Sequence, residues 1–166
     1  SKIAAESIAE SFYHSFGLEV VILRPFNTFG PFQKSNMEGG VVSIFLKNKI
    51  EGKPLKVFGT GKQTRDLLYV EDCVDFIVMA AFDKKAVGEV FNAGSGKDIS
   101  VNELAALIAG NKKDILHVTH HHPQAEIQKL VCDYSKAKKV LGWKPKVSLK
   151  EGIKKTKIWL MESGGN

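Results

Sequence analysis

The chain has 166 residues, 43% of them hydrophobic, which is enough to bury one substantial core. Its apolar runs fall well short of the roughly 20 residues that a bilayer-spanning helix needs, so no membrane association is expected. The net charge of +6 would suit nucleic acid, but the lysines are scattered and no aromatic-and-basic motif accompanies them, which favours an anionic small molecule.

The first predicted elements are a helix and a buried strand. The stretch "SKIAAESIAESFYHSFG" spaces Ile8, Phe12 and Phe16 one turn apart, which predicts an amphipathic helix. Gly17 is typical of a helix end. The run "LEVVILRPFN" is apolar and β-branched, as in a buried parallel strand, and we expect Arg24 on it to pair with a buried carboxylate.

The middle of the chain predicts a loop, a helix and two strands. The loop is "NTFGPFQKSNMEGG", and the helix runs from Val41 to about Glu51. "PLKVFG" and "TRDLLYV" predict short strands around a Gly-Thr-Gly turn. Glu71 and Asp72 then begin a helix, where acidic side chains suit the positive end of its dipole.

The rest of the chain continues the alternation of strands and helices. "EVFNAG" and "ILHVT" predict strands, and "GSGKD" predicts a plain turn because it lacks the spacing of a P-loop. The signals for the last helices are Ser100 with Glu103, Gly110, Asp133, Gly142, and Ser148 with Glu151. This alternation predicts an α/β fold. The two cysteines, Cys73 and Cys132, predict free thiols in a reducing, cytoplasmic environment.

Arginine is rare in this chain. Among 24 Lys plus Arg residues only Arg24 and Arg65 are arginines, so lysine stands wherever any positive charge suffices. A guanidinium can grip phosphate or carboxylate with two parallel hydrogen bonds, whereas an ammonium cannot. Arg65 therefore suggests either an anion-binding side chain or a structural pair with Asp66 at the turn.

Four motifs in series resemble one enzyme family. They are "LRPFNTFGPFQ", "GGVVSIFLKNKIEGKPLKVFGTGKQTRDLLYVEDCVDFIVMAA", "GEVFNAGSGKDISVNELA" and "DYSKAKKVLGWKP". Together they are similar to the C-terminal portion of extended short-chain dehydrogenases, in particular NAD-dependent nucleotide-sugar epimerases and dehydratases of the UDP-glucose 4-epimerase type. The resemblance implies the last parallel strands of a Rossmann-type domain plus a smaller substrate-binding α/β domain.

The resemblance implies a division of the chain and a set of cofactor-binding residues. Residues 1–30 would be the tail of the NAD-binding domain, and 31–166 mainly the substrate domain, with about 64–95 returning to the Rossmann sheet. Lys2 would be the lysine of a Tyr-x-x-x-Lys motif, whose tyrosine lies outside the chain, and would favour the tyrosine phenolate. Pro25 and Phe26 would pass beside the nicotinamide of NAD, although the Gly-rich loop for that cofactor is not in the sequence.

The resemblance also implies a substrate site. Asn27 would bind the sugar diphosphate, and the helix start at Val41 and Val42 would offer backbone amides to phosphate or uracil. The remaining residues of the implied site are Lys56 and Phe58 at the base, Arg65 on the phosphates and Glu126 on phosphate or ribose.

The sequence departs from the family near the C-terminal end of this site. The family has an arginine three positions before the acidic residue, but here that position falls on or beside Pro123 in "HHHPQAEIQKLVCDYSKA". His122 or Lys129 could take its role. A metal site is not expected from the three consecutive histidines, because consecutive side chains cannot all face one ion.

The implied activity is an NAD-dependent nucleotide-sugar 4-epimerase, of which this chain would be the substrate-binding portion. The alternatives are a 4,6-dehydratase, a plain NAD(P)-dependent reductase and, in another class, a non-catalytic nucleotide-sugar binding module. A UDP-sugar is the expected ligand. We expect the chain alone to be inactive, and to form a homodimer or self-associate through apolar faces left uncovered at the first helix and strand.

Overall fold

The computed structural model describes residues 1–35 and 39–163. Positions 36–38 of the predicted loop therefore lie outside the described residues. The helices are α1 (Lys2–Phe16), α2 (Val41–Ile50), α3 (Val70–Phe82), α4 (Val101–Ala109), α5 (Ser135–Leu141) and α6 (Leu149–Glu162). The strands are β1 (Ile22–Pro25), β2 (Asn27–Phe29), β3 (Leu55–Phe58), β4 (Thr64–Tyr69), β5 (Val90–Ala93), β6 (Asp98–Ser100) and β7 (Ile115–Val118).

The strands pair mainly in parallel. β1 pairs with β5, β2 with β4, and β3 with β7, all in parallel, while β6 pairs with β4 in the antiparallel direction. The chain leaves one sheet and enters another between adjacent residues, because the Phe26 amide still bonds to Ala93 whereas Asn27 already lies opposite Leu67. Parallel strands connected by helices confirm the predicted α/β class.

Two hydrophobic cores share the strand β4. The first core lies among α2, α4 and α6, and the second lies among α3, α5 and the β1–β5 pair. Successive side chains of a strand point to opposite faces. Accordingly, Leu67 and Tyr69 belong to the first core and Leu68 to the second. The run "LLY" is apolar throughout because both faces of this strand are buried.

Several helices begin or end at the capping residues that the sequence indicated. Ser100 and Glu103 form a complete capping box at the start of α4. The C-caps of α1, α4 and α5 are Gly17, Gly110 and Gly142, whose positive φ angles of 65°, 72° and 69° favour glycine. Before α5, the Asp133 carboxylate accepts a hydrogen bond from the Ser135 amide at 2.9 Å.

Some features differ from the sequence predictions. The three-residue strands β2 and β6 were not predicted. The expectation for Arg24 was wrong, because its partner is Glu6 on the exposed helix α1 and not a buried carboxylate.

Cys73 and Cys132 are free and buried. Among the described residues, no helix is both long and apolar enough to cross a membrane.

Candidate functional site

A cleft of about 280 Å³ opens where β2, β4 and the first turn of α2 meet. Its lining includes Asn27, Val41, Val42 and Arg65, which are four of the residues predicted to bind substrate. Asn27 begins β2, and its side-chain amide donates to the Asp66 backbone carbonyl on the neighbouring strand at 3.3 Å. The cleft therefore joins residues that lie up to 40 positions apart in the sequence, from Asn27 to Leu67.

Gln33 fixes the loop that forms one wall of the cleft. Its Nε2 donates to the Thr28 carbonyl at 2.8 Å, and its Oε1 accepts from the Ser43 hydroxyl at 2.7 Å. The side chain passes so close to Gly40 that a Cβ there would lie 2.4 Å from Gln33 Nε2. Glycine at position 40 thus allows the loop to pack on the start of α2, whose first-turn amides have no partner within the helix.

Arg65 lies at the edge of the cleft and is held by three acceptors. Its Nη1 donates to the backbone carbonyls of Thr64 and Ile127, both at 2.7 Å, and its Nη2 pairs with the Glu126 carboxylate. The side chain keeps 22% of its surface exposed. The guanidinium is therefore oriented by the protein and paired with one carboxylate, while it still faces the cleft.

A second group of predicted residues lies beside Arg65 at the end of the β3–β7 pair. Lys56 and Phe58 are on the exposed face of β3, and 44% of the Phe58 surface is accessible. Glu126 connects this group to the cleft, because one of its oxygens pairs with Arg65 and the other accepts from His120 Nε2 at 2.8 Å. The ring of His120 in turn lies edge-on to Phe58, with centroids 6.4 Å apart.

Asp66 points away from the cleft and has a structural role. The carboxylate is fully buried and accepts from the amides of Ser95, Gly96 and Cys132 at 2.6 to 3.0 Å, and from the Ser95 hydroxyl at 2.7 Å. Burial, together with the nearby Asp66 charge, raises the pKa of the Cys132 thiol to about 12. Cys132 is therefore a neutral thiol at physiological pH and a poor nucleophile.

The residues predicted to contact NAD lie on α1 and at the end of β1, directly before the cleft residue Asn27. Lys2 is exposed at the start of α1, Pro25 ends β1, and Phe26 is half-buried beside it. The ion pair between Glu6 and Arg24 attaches the first turns of α1 to the end of β1. A carboxyl end of parallel strands is where open α/β sheets bind dinucleotides, and Pro25 lies at the carboxyl end of β1.

The sequence reasoning missed two residues at the cleft and beside it, Gln33 and His120. Gln33 carries no signal beyond its place in a Gly- and Pro-containing loop. His120 belongs to the histidine run, which was considered as a metal site and in which only His122 was considered for substrate binding. Among residues 1–35 and 39–163, no group of three or more His, Cys, Asp or Glu is arranged to hold a metal ion. A larger cavity of about 490 Å³ near Ser95, Asp98 and Lys146 contains none of the predicted site residues.

Comparison with known proteins places this geometry in a family. The family model for GDP-mannose 4,6 dehydratase matches residues 1–156. The structure of Pal from Bacillus thuringiensis is 59% identical with a TM-score of 0.94, and the match covers 98% of this chain and 52% of Pal. The UDP-glucose 4-epimerase of Thermotoga maritima with UDP-glucose is 36% identical with a TM-score of 0.91, covering 98% of this chain and 52% of that one.

A third similar structure is the UDP-glucuronic acid 4-epimerase of Bacillus cereus in complex with UDP-glucuronic acid and NAD. It is 30% identical with a TM-score of 0.87, and the match covers 98% of this chain and 51% of that one. The chain likewise spans about half the length of the curated relatives it matches. It belongs to the NAD-dependent nucleotide-sugar epimerase/dehydratase family of extended short-chain dehydrogenases and has part of their Rossmann-type α/β fold.

Proposed function

We propose that this chain is the substrate-binding portion of a nucleotide-sugar 4-epimerase and that the cleft at Arg65 holds the diphosphate of a UDP-sugar. The observation that carries the proposal is the meeting of Asn27, Val41, Val42 and Arg65 around one cleft. These residues offer an amide, helix-terminal N–H groups and a guanidinium, which are the donors that suit an anionic diphosphate.

Each part of the ligand has a proposed counterpart in the protein. Arg65 would bind the phosphates, since its guanidinium is already oriented by backbone carbonyls. Phe58 would stack on the base with its exposed ring, next to the exposed Lys56. Glu126, whose carboxylate lies between these two positions, would accept from the hydroxyl groups of the ribose.

The domain division is part of this proposal. Residues 1–30 would belong to the NAD-binding domain and 31–166 mainly to the substrate domain, with 64–95 returning to the Rossmann sheet. The parallel pairing of β1 with β5 supports this return, because it aligns Ile22 with Val90 across nearly 70 positions of sequence. β4, from 64 to 69, connects the part of the molecule around the β1–β5 pair to the cleft, because Leu68 packs in the same core as β5 while Arg65 and Leu67 line the cleft.

NAD, when bound, would take up and give back the hydride at C4 of the sugar. The chain contributes Pro25 and Phe26 as one wall of the nicotinamide site. Lys2 would contribute an ammonium that favours a phenolate base. The cofactor pyrophosphate would need a Gly-rich turn, and no G-x-G-x-x-G occurs in this sequence.

A 4,6-dehydratase is the second candidate, because the matching family model is described as GDP-mannose 4,6 dehydratase. Both reactions start with oxidation at C4 and would use the same diphosphate cleft. Binding at Arg65 therefore tests the feature that the two candidates share.

The test is calorimetric titration of the chain with UDP-glucose, using wild type, Arg65→Ala and Arg65→Lys. We expect Arg65→Ala to weaken binding by about tenfold or more, because a charge-assisted hydrogen bond to phosphate is lost. Arg65→Lys should recover only part of the affinity, since an ammonium lacks the planar fork.

Arg24→Ala is the matched control, because it removes the other arginine of the chain from an exposed ion pair outside the cleft. Thermal unfolding of every variant separates loss of binding from loss of fold. Equal affinity of the wild type and a folded Arg65→Ala protein would leave Arg65 with a purely structural role and contradict the proposal.

A further inference from the structure

His120 makes contacts that place it within the proposed nucleotide site. Its Nε2 lies 2.8 Å from Glu126 Oε2, and its Nδ1 accepts a hydrogen bond from the His122 backbone amide at 3.0 Å. The side chain is 22% exposed, about as much as that of Arg65. It is therefore held on both ring nitrogens in a partly buried position.

These two contacts determine which nitrogen of His120 carries the proton. A backbone N–H can only donate, so Nδ1 must accept and must be bare. Nε2 then carries the hydrogen and donates to the Glu126 carboxylate. The His122 amide thus selects the tautomer that Glu126 needs, as a partner on one imidazole nitrogen commonly does for the other.

Glu126 is consequently held from two sides. Oε1 accepts from Arg65 and Oε2 accepts from His120, so the carboxylate cannot rotate without breaking one of these contacts. A carboxylate has about four lone-pair sites, two on each oxygen. Each oxygen therefore keeps one acceptor site, and the pair of sites matches the two neighbouring hydroxyl groups of a ribose.

We propose that His120 is a positioning residue that holds Glu126 to read the 2′,3′-diol of a ribonucleotide. This inference rests on the proposed nucleotide-sugar function. The ring of His120 also lies edge-on to Phe58. His120 therefore connects Phe58, proposed to bind the base, with Glu126, proposed to bind the ribose. The site then favours ribonucleoside diphosphates over their 2′-deoxy counterparts.

The experiment is calorimetry with UDP and 2′-deoxy-UDP on wild type, His120→Ala and His120→Gln. The wild type should bind UDP more tightly than 2′-deoxy-UDP. His120→Ala should weaken UDP binding by about tenfold, the effect of one hydrogen bond to a charged group, and should lose most of the discrimination. His120→Gln should restore it, because the glutamine amide nitrogen can reach the position of Nε2.

His14→Ala is the control, since it removes an exposed imidazole of α1, outside the proposed nucleotide site. It should behave as wild type. His122→Ala tests the alternative, and a loss there together with wild-type behaviour of His120→Ala would overturn the inference and assign the role to His122.

The outcomes separate this inference from the function on which it depends. If the wild type binds neither nucleotide, both fail. If the wild type binds UDP and His120→Ala retains the affinity and the discrimination, only the role of His120 fails. Long-range ¹H–¹⁵N spectra of the ligand-free chain should show hydrogen on Nε2 of His120, and hydrogen on Nδ1 would contradict the proposed geometry.

Discussion

At the scale of single residues, two neighbours in the sequence have different roles: Arg65 faces the cleft and Asp66 is buried. Arg65 and Asp66 are adjacent on β4, and because side chains alternate across a strand, one faces the cleft and the other the interior. The Asp66 carboxylate accepts four hydrogen bonds, whose donors belong to the 95–96 turn and to Cys132. A structural Arg65–Asp66 pair is therefore not needed to explain either residue.

The buried carboxylate of Asp66 gives a prediction for stability. Asp66→Asn should lower the free energy of unfolding by about 3 kcal/mol, because an amide group would face backbone donors that need acceptors. Urea unfolding measures this loss. Asp75→Asn is the control: Asp75 pairs with Lys146 at 2.7 Å on the exposed surface, so the loss of this pair should lower stability far less than Asp66→Asn does. Equal effects of the two changes would contradict the proposed role of Asp66.

Which single residues could be found from the sequence depends on how local their signal is. Arg65 was noticeable because arginine is so rare in this chain. Its pairing with Glu126 was not predictable, because the contact spans 61 positions and depends on how two separate segments pack. The partner of Arg24 was predicted wrongly for the same reason, since the sequence does not indicate that α1 packs its Glu6 against β1.

At the scale of elements, the sequence predicted helices and their ends better than short strands. Capping boxes and C-terminal glycines act within one turn, so their residues are neighbours in the printed sequence. β2 and β6 have three residues each, which is too few for a pattern of alternation to indicate a strand. They are strands only because β4 lies between them and supplies backbone partners.

The capping box of α4 provides a prediction at this scale. Ser100→Ala should reduce stability by about 1 kcal/mol, because the Glu103 amide loses the hydroxyl that accepts from it. Ser100→Thr should retain most of the stability, since threonine is also a good N-cap residue. Thermal and urea unfolding of the three proteins measure the effect.

The same capping box should depend on pH. The hydrogen bonds from Ser100 lower the pKa of Glu103 below its ordinary value of 4.5. The stabilisation from ionised Glu103 is therefore present above pH 4.5 and is lost as the pH falls through the lowered value. The difference between wild type and Ser100→Ala should accordingly shrink in acid, and a constant difference would argue against the box.

At the scale of the whole molecule, α1 is outside both hydrophobic cores. None of its residues is buried, and Ile3, Ile8, Phe12 and Phe16 are 48% to 82% exposed. The periodicity of the sequence predicted an amphipathic helix, and the amphipathic face is present without a partner among the described residues. An apolar surface of this kind favours association.

We therefore expect the chain to self-associate through α1. Sedimentation velocity over a range of concentrations should show species larger than the monomer, and Phe16→Lys should shift the distribution toward the monomer. Ser15→Lys is the matched control, because it adds the same charge at the neighbouring, polar position. A wild-type chain that remains monomeric at every concentration would refute this expectation.

The α/β class was predictable because the alternation of apolar strands and amphipathic helices runs along the whole sequence. The division of the buried residues into two cores was not predictable, because both cores consist of the same kinds of apolar side chain. It depends on which face of β4 each side chain takes, and a run such as "LLY" is compatible with burial on either side.

The position of β4 in both cores has a consequence for how the molecule unfolds. Leu67 and Tyr69 complete one core, and Leu68 completes the other, so removing this strand opens both at once. We therefore expect the two cores to unfold together as a single cooperative unit. A ligand that binds Arg65 at the beginning of the strand would consequently stabilise regions of the chain that it does not contact against unfolding.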